Sequence, residues 1–373
     1  MKIGLVLDDT LDTPDGVQQY VLAVGAWLTA QGHDVHYLVG HTTRTDLANV
    51  HPLSRNLRVK FNGNRMSMPL PTSRRRLRAF LAEQKFDVLH VQVPYSPFMA
   101  GQLLHAAPRR TAVVGTFHIL PYTKLVTAAN YALGLINRSS GRRFDRMMAT
   151  SAPAAEFARR AYGYDAAPVP IPMHLDRFLN ATVTDPRLTI VTIGRLVARK
   201  GIQHLLRALV YMRKHKLFTG DFRVIIGSKG EMLGELQRYV HDHKLQNVTF
   251  HGFIDEDKKP EFLAQGDLAV YPSTGGESFG VVLLEGLAAC RGVVLAGDNP
   301  GYASVMQPFP DQLVDPTDTK AFAEKLALYL GDGALRARIA KQQRKYVRRF
   351  DFEVVGPALL DVYAKALQSR PKS

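Results

Sequence analysis

The sequence has very little cysteine: of its 373 residues, only Cys290 carries a thiol. A single cysteine excludes an internal disulfide, and the apolar surroundings LAACRG favour a small buried residue over a nucleophile. This cysteine usage is typical of proteins in a reducing cytoplasm. We therefore expect a cytoplasmic protein whose fold depends on packing rather than on covalent cross-links.

Long hydrophobic runs are also missing, since no stretch of about 18 apolar residues occurs. The start, MKIGLVLDDT, has one lysine and a short apolar run, which favours a buried first strand over a signal peptide. Internal repeats and low-complexity tracts are lacking, and apolar (46%) and charged (22%) residues stand in globular proportions. A chain of this length predicts two or three domains of a soluble or peripheral protein.

Acidic residues are few relative to basic ones, and the formal net charge is +15. Such an excess suits nucleic acid, anionic lipid or a phosphorylated substrate. The sequence contains no aromatic-rich RNA motif, zinc-finger spacing or isolated basic recognition helix, so we do not expect nucleic acid as a partner. Lipid and phosphorylated ligands remain.

Short apolar runs alternate with helical patterns in two series. Alternation of this kind predicts parallel sheets with helices on both faces. The strand candidates of the first series are KIGLVL, DVHYLV, DVLHVQV, TAVVGTF and RMMATS; those of the second are LTIVTIG, FRVIIG, VTFHGF, LAVYPS and VVLAG. The predicted fold class is α/β, with two Rossmann-like domains.

The domain boundary is predicted in the proline-containing segment AAPVPIPMHLDRFLNATVTDPR. It separates an N-terminal domain, 1–170, from a C-terminal domain, 171–351, and a last helix at about 352–368 is expected to pack back on the first domain. Ligands of open α/β sheets bind beyond the carboxyl ends of the strands. The interdomain cleft that the two domains face is therefore the expected site.

Two cations follow the strand LTIVTIG. In RLVARKG, Arg195 and Lys200 lie between a strand and a helix, where a guanidinium and an ammonium suit a diphosphate. The alternative is two surface cations near a helix start.

Two acids flank an apolar run in TGGESFGVVLLEG. Gly275 and Gly276 allow close backbone approach to a ligand, and a helix start favours anionic oxygen. Glu277 and Glu285, eight residues apart, are predicted on one stripe of a helix, and their carboxylates can accept hydrogen bonds from hydroxyls. The alternative is a dipole-stabilising acid and an exposed helix acid.

The pair of motifs GRLVARKG and GGESFGVVLLE resembles the retaining glycosyltransferases of family 4, whose two-Rossmann architecture is called GT-B. The resemblance implies that Arg195 and Lys200 contact the nucleotide diphosphate, Glu277 the donor sugar and Glu285 the ribose. It further implies that Gly16, in the first loop, leaves room for the diphosphate. The complete implied donor-binding set is Gly16, Arg195, Lys200, Glu277, Ser278, Phe279, Gly280 and Glu285.

Nearly the whole chain resembles the bacterial phosphatidylinositol mannosyltransferases. The segments that carry this likeness are TPDGVQQYVLAVGAWLTAQGHDV, FNGN, KFDVLHVQ, GTFH, STGGESFGVVLLEGLAA and RRFDFEVV. The resemblance implies transfer of mannose from GDP-mannose, favoured over a UDP-sugar, to a membrane lipid such as phosphatidylinositol. The enzyme would work without a metal or a cofactor, on the inner face of the cell membrane.

His118 ends the strand candidate TAVVGTF, and a lone histidine there is otherwise structural. The resemblance implies that it lies near the transferred sugar. The implied catalytic residues are thus His118, Arg195, Lys200 and Glu277, with the two cations stabilising the charge of the leaving diphosphate. No carboxylate is assigned as a nucleophile. The acidic runs Asp255–Asp257 and DDTLD are interpreted as solvated loops, not as metal sites.

The helix candidate SRRRLRAFLAEQ combines an apolar stripe with a basic surround, which suits an anionic lipid interface. The alternative is a domain helix whose stripe packs on the sheet. A basic amphipathic helix at the matching place in the mannosyltransferases favours membrane docking. The predicted membrane residues are Arg74, Arg75, Arg76, Leu77, Arg78, Phe80 and Leu81.

Several positions depart from the mannosyltransferase pattern where the acceptor would bind. Asp9 replaces an aromatic residue, Met173 and His174 replace Asn-Gly, and the segments QVPYSP and FHILPYTKL differ. The predicted acceptor-binding residues are Asp9, Asn62 and Lys124, the last for a lipid phosphate. These departures leave the inositol lipid less certain than the donor.

Three alternatives stay open. One is a family 4 enzyme that uses UDP-glucose or another donor with diacylglycerol or a glycan precursor. A second is a nucleotide-sugar epimerase of the same architecture. The third is not an enzyme but a membrane-associated relic that binds nucleotide.

Overall fold

The computed structural model describes residues 1–13, 15–61, 64–70, 72–92 and 94–370. The chain divides into two compact units. Unit 1 comprises Met1–Met173 and Phe352–Ser373, and unit 2 comprises His174–Asp351. The division thus falls between residues 173 and 174, where the sequence predicts it between 170 and 171.

The main sheet of unit 1 is built from apolar runs that are buried on both faces, as in parallel sheets generally. The strands are β1 (Lys2–Leu7), β2 (Asp34–Val39), β3 (Val50–Pro52), β4 (Asn56–Phe61), β5 (Asn64–Pro69), β6 (Val88–Val91), β7 (Ala112–Phe117), β8 (Arg146–Ala149) and β9 (Ala166–Pro168). Seven of them form a parallel sheet in the order β3-β2-β1-β6-β7-β8-β9. β4 and β5 pair separately as an antiparallel hairpin.

Several helices of unit 1 begin at hydroxyl caps. The helices are α1 (Gly16–Ala30), α2 (Arg74–Gln84), α3 (Met99–Ala106), α4 (Lys124–Ile136), α5 (Arg138–Gly141) and α6 (Ala152–Tyr162). Before α2, α4 and α6, the side chains of Ser73, Thr123 and Ser151 accept a backbone N–H of the first turn. Such caps satisfy amides that have no partner inside the helix.

Unit 2 contains a second parallel sheet, in the order β12-β11-β10-β13-β14-β15. Its strands are β10 (Thr189–Ile193), β11 (Arg223–Gly227), β12 (Val248–Phe250), β13 (Leu268–Tyr271), β14 (Val293–Gly297) and β15 (Leu313–Val314). The central strands β10 and β13 are neighbours, so the loops that follow them leave the same edge of the sheet.

Helices cover this sheet through a core of buried aliphatic and aromatic side chains. They are α7 (Asp176–Leu179), α8 (Ile202–Lys214), α9 (Leu233–Asp242), α10 (Lys259–Ala264), α11 (Val281–Ala289), α12 (Pro300–Val305), α13 (Thr319–Gly331) and α14 (Gly333–Val347). Short 3₁₀ turns span Ala198–Lys200, Glu256–Lys258, Pro310–Gln312 and Arg348–Phe350.

The last helix, α15 (Phe352–Gln368), returns to unit 1. Phe352 stacks on Trp27 with ring centroids 5.7 Å apart. The hydroxyl of Tyr363 lies 2.8 Å from Nδ1 of the buried His90. These contacts connect the end of the chain to the sheet of unit 1.

The strand candidates of both series are strands in the structure, with ends that differ by a few residues, and the helix predicted at 352–368 spans those residues. The hairpin of β4 and β5 was not predicted. The cleft between two domains stays a prediction.

Candidate functional site

A tight approach of two loops builds the charged cluster of unit 2. Gly201, with φ +76°, ends the 3₁₀ turn after β10, and a Cβ atom there would lie 1.8 Å from the carbonyl oxygen of Pro272. Only glycine permits both this backbone conformation and this contact. The amide of Thr274 then donates to the carbonyl of Arg199 over 2.8 Å. The loop after β10 is thereby joined to the loop after β13.

Three donors converge on one carboxylate oxygen, Oε1 of Glu277. Arg199 Nη1 lies 2.5 Å away, Lys200 Nζ 2.9 Å and Ser273 Oγ 3.0 Å. The Arg199, Lys200 and Glu277 side chains retain only 15%, 17% and 12% of their exposure. The carboxylate offsets part of the charge of the two cations, and removing it would leave both cations buried without a counter-charge.

Glu277 stays ionised at neutral pH. Burial raises the pKa of Glu277, but the charges of Lys200 and Arg199 outweigh burial and leave this pKa below its ordinary value. Burial lowers the pKa of Lys200, against the attraction of Glu277 and with the repulsion of Arg199 and Arg195. Glu277 is therefore an ionised hydrogen-bond acceptor.

Arg199 is the residue that the sequence reasoning missed. It lies inside the quoted motif RLVARKG, between the two cations to which roles were given. In the structure, the 3₁₀ turn Ala198–Lys200 brings the side chains of Arg199 and Lys200 to the same carboxylate. The only signal in the sequence was a third cation within the motif. Arg195, half-buried at the carboxyl end of β10, lies close enough to Lys200 to lower its pKa.

Glu277 and Glu285 would share one stripe only if the whole run were helical, and it is not. α11 begins at Val281, so Glu277 belongs to the loop before the helix and Glu285 to its second turn. A positive φ angle at Gly276 (72°) turns the backbone just before Glu277, and another at Gly280 (123°) turns it just before the helix. Both positions favour glycine for this reason.

Glu285 is buried, not exposed as the alternative interpretation had it. Lys259 Nζ lies 3.2 Å from Glu285 Oε1 and 2.5 Å from Glu256 Oε1, so one ammonium joins two carboxylates. Burial, together with Glu256, raises the pKa of Glu285 against the effect of Lys259. In the acidic run Asp255–Asp257, Glu256 is thus bound to a cation of the protein.

The remaining residues predicted to bind the sugar donor differ in how far their side chains are exposed. Phe279 is 4% exposed and its ring packs on Phe350, with centroids 5.7 Å apart, so its side chain serves the core. Ser278 follows Glu277 in the loop and is half-buried. Gly16 begins α1, and a Cβ atom there would meet nothing within 4 Å.

His118 follows β7 in unit 1 and has a fixed neutral form. Burial lowers its pKa to about 3. Its Nε2 lies 3.0 Å from Oε1 of the buried Gln92. Because an amide oxygen only accepts, Nε2 carries the proton and donates, which leaves Nδ1 as an acceptor. The ring also contacts Tyr20 edge-on, with centroids 5.1 Å apart.

Two of the three predicted acceptor residues are described by the structure, and both belong to unit 1. Asp9 follows β1 and accepts the amide of Thr10 over 2.7 Å. Lys124 is exposed as the first residue of α4. Asn62 lies outside the described residues.

The prediction that Leu77 and Leu81 meet lipid is wrong. Each is 1% exposed and packs in the core of unit 1 with β6, β7 and α3, and Phe80 lies against that core. The alternative, a domain helix, is the one the structure supports for the apolar stripe. The basic side of α2 is exposed: Arg74, Arg75, Arg76 and Arg78.

In the described ranges, no three or more His, Cys, Asp or Glu side chains are grouped so that they could hold a metal ion. Within the same residues, no helix has the length and apolar character needed to cross a membrane.

Family models match both halves of the chain. Residues 14–171 match the family described as Glycosyltransferase Family 4, and residues 179–346 match Glycosyl transferases group 1. The chain is 29% identical to the phosphatidyl-myo-inositol mannosyltransferase of Mycobacterium leprae (strain TN), with 100% of this chain and 99% of that protein covered. It is 30% identical to the protein of that name from Mycolicibacterium smegmatis, with 97% and 93% covered.

Solved structures share the fold at lower identity. HepE of Anabaena, in complex with UDP-glucose, has a TM-score of 0.76 at 18% identity, with 99% of this chain and 100% of that chain covered. Sucrose-phosphate synthase from Thermosynechococcus elongatus has a TM-score of 0.74 at 20% identity and the same coverage. The sequence relatives and the two parallel sheets agree: the chain belongs to glycosyltransferase family 4 and is a hexosyltransferase of the GT-B fold.

Proposed function

We propose that this enzyme transfers mannose, with retention of configuration, from GDP-mannose to phosphatidylinositol in a membrane. The observation that carries the proposal is the cluster on Glu277. Its carboxylate can accept hydrogen bonds from a sugar, and the cations paired with it are suited to a diphosphate. The relatives named phosphatidyl-myo-inositol mannosyltransferase support the choice of sugar and lipid.

Glu277 would bind the donor sugar through its second oxygen. Oε1 already accepts from Arg199, Lys200 and Ser273, whereas no donor from the described residues reaches Oε2. A carboxylate that stays ionised only accepts, so it selects a ligand that offers hydroxyl groups. The two cations fix the carboxylate and add no donor to the oxygen that faces the ligand.

The cations of the two loops would hold the diphosphate. In residues 194–201 and 272–280, Arg195, Arg199 and Lys200 stand against the single carboxylate of Glu277. The excess positive charge, in a partly dehydrated setting, favours a bound diphosphate and strengthens its interaction as charge develops on it.

In the reaction, the bond between the anomeric carbon and the diphosphate oxygen breaks, and its electron pair goes to the diphosphate. The acceptor hydroxyl forms the new bond on the same face of the sugar and gives its proton to the departing diphosphate. Arg195, Arg199 and Lys200 stabilise the negative charge of that leaving group. No covalent intermediate with the protein is part of the proposal.

His118 and Glu285 would orient the donor. Nδ1 of the neutral His118 is positioned by the bond of Nε2 to Gln92, so it can accept a hydroxyl of the sugar. Glu285, held by Lys259, would accept from the ribose. Gly16 would leave space for the phosphates at the start of α1.

The lipid acceptor would be met by unit 1, on the inner face of the cell membrane. Four exposed arginines of α2 suit anionic headgroups, and Lys124 suits the lipid phosphate. The second candidate is transfer of glucose from UDP-glucose to diacylglycerol or a glycan precursor. The UDP-glucose in the Anabaena structure favours this candidate for the donor.

Two measurements test these proposals. Calorimetry with GDP and with UDP is expected to give tighter binding of GDP. Thin-layer assays then pair GDP-mannose and UDP-glucose with phosphatidylinositol and diacylglycerol, and mannosylated phosphatidylinositol is the expected product. Tighter UDP binding and a glucosylated diacylglycerol would establish the second candidate instead.

A further inference from the structure

Helix α4 has its large apolar side chains on the outside. Leu125, Leu135 and Ile136 are 81%, 63% and 66% exposed, and Tyr131 is 42% exposed. The positions between them on this face are the exposed alanines 128, 129 and 132. A helix on the surface of a domain normally presents polar residues to water.

The inner face of α4 combines the partly buried Leu133, which packs against the apolar core of unit 1, with small and polar residues. Asn130 is buried and accepts a hydrogen bond of 2.8 Å from the hydroxyl of Tyr162 on α6. A Cβ atom on Gly134 would lie 1.9 Å from the carbonyl oxygen of Ala161, so α4 packs directly against the backbone of α6. Leu133 packs inward, and the ring of Tyr131 contacts Phe157 of α6 edge-on. Leu125, Leu135 and Ile136 are therefore the large aliphatic side chains of α4 that remain exposed.

The segment of chain that contains α4 carries charge of one sign, and Glu156 of the adjacent α6 is paired with Arg159 and Arg160. Residues 88–144 contain no Asp or Glu, and Lys124, Arg138 and Arg142 are exposed at the two ends of the helix. An apolar face with cations at its margins is complementary to an anionic lipid surface, where the cations meet headgroups and the apolar side chains meet acyl chains.

We infer that α4 docks unit 1 on an anionic lipid surface by inserting Leu125, Leu135 and Ile136 among the acyl chains. The 13 residues of α4 give a length of about 20 Å, which lies in the plane of the interface and does not cross it.

A second copy of the chain fits this face less well. An antiparallel contact between two α4 helices brings Lys124 of one copy toward Arg138 of the other, and a parallel contact pairs each cation with itself. Like charges at an interface oppose association, whereas anionic headgroups neutralise them.

Docking through α4 divides the membrane contact between two helices. The apolar stripe of α2 is buried, so α2 contributes charge alone, and α4 supplies the apolar contact that α2 lacks. Lys124 would then lie at the depth of the headgroup phosphates. The placement of Lys124 at a lipid phosphate rests on the proposed function, in which a lipid is the acceptor substrate. Docking of α4 on the lipid surface does not depend on that proposal.

The test is sedimentation of the full chain with vesicles of equimolar phosphatidylglycerol and phosphatidylcholine. The variant L125Q/L135Q/I136Q removes the exposed aliphatic face without changing the charge. Its matched control, L217Q/L328Q/V354Q, removes three exposed aliphatic side chains from other helices and loops. The α4 variant is expected to bind vesicles at least about tenfold more weakly than the control variant. Equal binding of the two variants would overturn the inference.

A second measurement tests the inference with single substitutions, in case the triple variant does not fold. An environment-sensitive fluorophore is attached to Leu135→Cys and, as the control, to Leu328→Cys; the native Cys290 is buried. Vesicles are expected to shift the emission to the blue at position 135 and to leave it unchanged at position 328. Unchanged emission at position 135 would contradict insertion.

Two further measurements distinguish docking on lipid from self-association of the chain and from failure of the proposed function. Sedimentation velocity without lipid is expected to give the same mass for the parent and for L125Q/L135Q/I136Q; a dimer that the substitutions dissociate would assign the face to a second copy. Vesicle binding is measured without the sugar donor and therefore does not depend on catalysis. If the enzyme did not mannosylate phosphatidylinositol but still needed α4 to bind vesicles, the proposed function would be refuted and the inference about α4 would stand.

Discussion

The candidate donor site of unit 2 and the candidate lipid-facing residues of unit 1 arrange their charges in opposite ways. In unit 2, Glu277 is buried and paired with Arg199 and Lys200. In unit 1, the arginines of α2 and Lys124 stand in solvent, and so do the aliphatic side chains of α4. A paired, buried cluster suits a small ligand that replaces water at fixed points, whereas exposed charges suit an extended surface. Substitutions in the two units should therefore change different measurements.

Two buried carboxylates, one in each unit, have pKa values shifted in opposite directions. Glu277 has two cations, and its pKa is lowered despite burial. Asp8 in unit 1 is held by neutral donors, the hydroxyl of Ser96 and the amide of Ala100, and burial raises its pKa to about 7. Partners, not burial alone, decide whether a buried acid is ionised.

The largest effect is expected from Lys200→Ala in the cluster of unit 2. Turnover should fall by about a hundredfold to a thousandfold, because the charge of the leaving diphosphate loses a buried cation. Steady-state kinetics with the preferred donor measure it. The matched control is Lys214→Ala, an exposed lysine at the end of α8, which should leave turnover unchanged. Equal turnover in both variants would remove Lys200 from the mechanism.

Next in size is the loss of stability in Glu277→Gln. This variant leaves Arg199 and Lys200 buried without their counter-charge, and the free energy of unfolding should fall by about 3 kcal/mol near neutral pH. The folded pKa of Glu277 lies below its unfolded value of 4.5. The stability that ionised Glu277 contributes is therefore present above that value and is lost as the pH falls through the folded pKa. Urea denaturation at several pH values should show the parent and the variant converging in acid; a constant difference would refute the coupling.

Asp8→Asn should have the opposite sign in unit 1. Because the folded pKa of Asp8 is about 7 and its unfolded value is 3.8, ionisation favours the unfolded chain as the pH rises. Asparagine preserves a hydrogen-bonding group without this cost. From about pH 5 to about pH 8, the variant should gain about 1–3 kcal/mol in unfolding free energy relative to the parent. A gain that does not change with pH would show that Asp8 is ionised throughout.

The smallest effect concerns the exposed arginines of α2. R74Q/R75Q/R76Q/R78Q should weaken binding to anionic vesicles by about tenfold at low ionic strength, and salt should reduce the difference. The control, R338Q/K341Q/K345Q/R348Q, removes equal charge from α14 and the turn after it. Both variants should retain the fold, since all eight side chains are exposed. If both lost binding equally, net charge rather than the position of α2 would explain the attraction.

The sequence predicted the longer strands of the two parallel sheets because most are short apolar runs, whereas β3, β9 and β15, of two or three residues each, were not predicted. The motif RLVARKG was found for a related reason: the end of a buried strand places whatever follows it at the sheet edge. The hairpin of β4 and β5 was not predicted because its strands lack a continuous apolar run. The role of Arg199 was not predicted because the contact between residues 199 and 277 depends on two loops meeting.

The helix α2 shows where pattern stops being informative. An apolar stripe with arginines around it is the same pattern whether the stripe meets a sheet or a lipid surface. Leu77 and Leu81 meet the sheet. The exposed face of α4 carries a less obvious pattern, since alanines separate its large residues, and only packing against α6 shows which side is outside.

By itself, the sequence determined the α/β class, the two parallel sheets, the helix α15 and the family, because these follow from local runs and motifs. Tertiary structure alone decided that one oxygen of Glu277 receives Arg199, Lys200 and Ser273, and which apolar faces remain in water. Those facts depend on contacts between segments far apart in the chain, which no local pattern records.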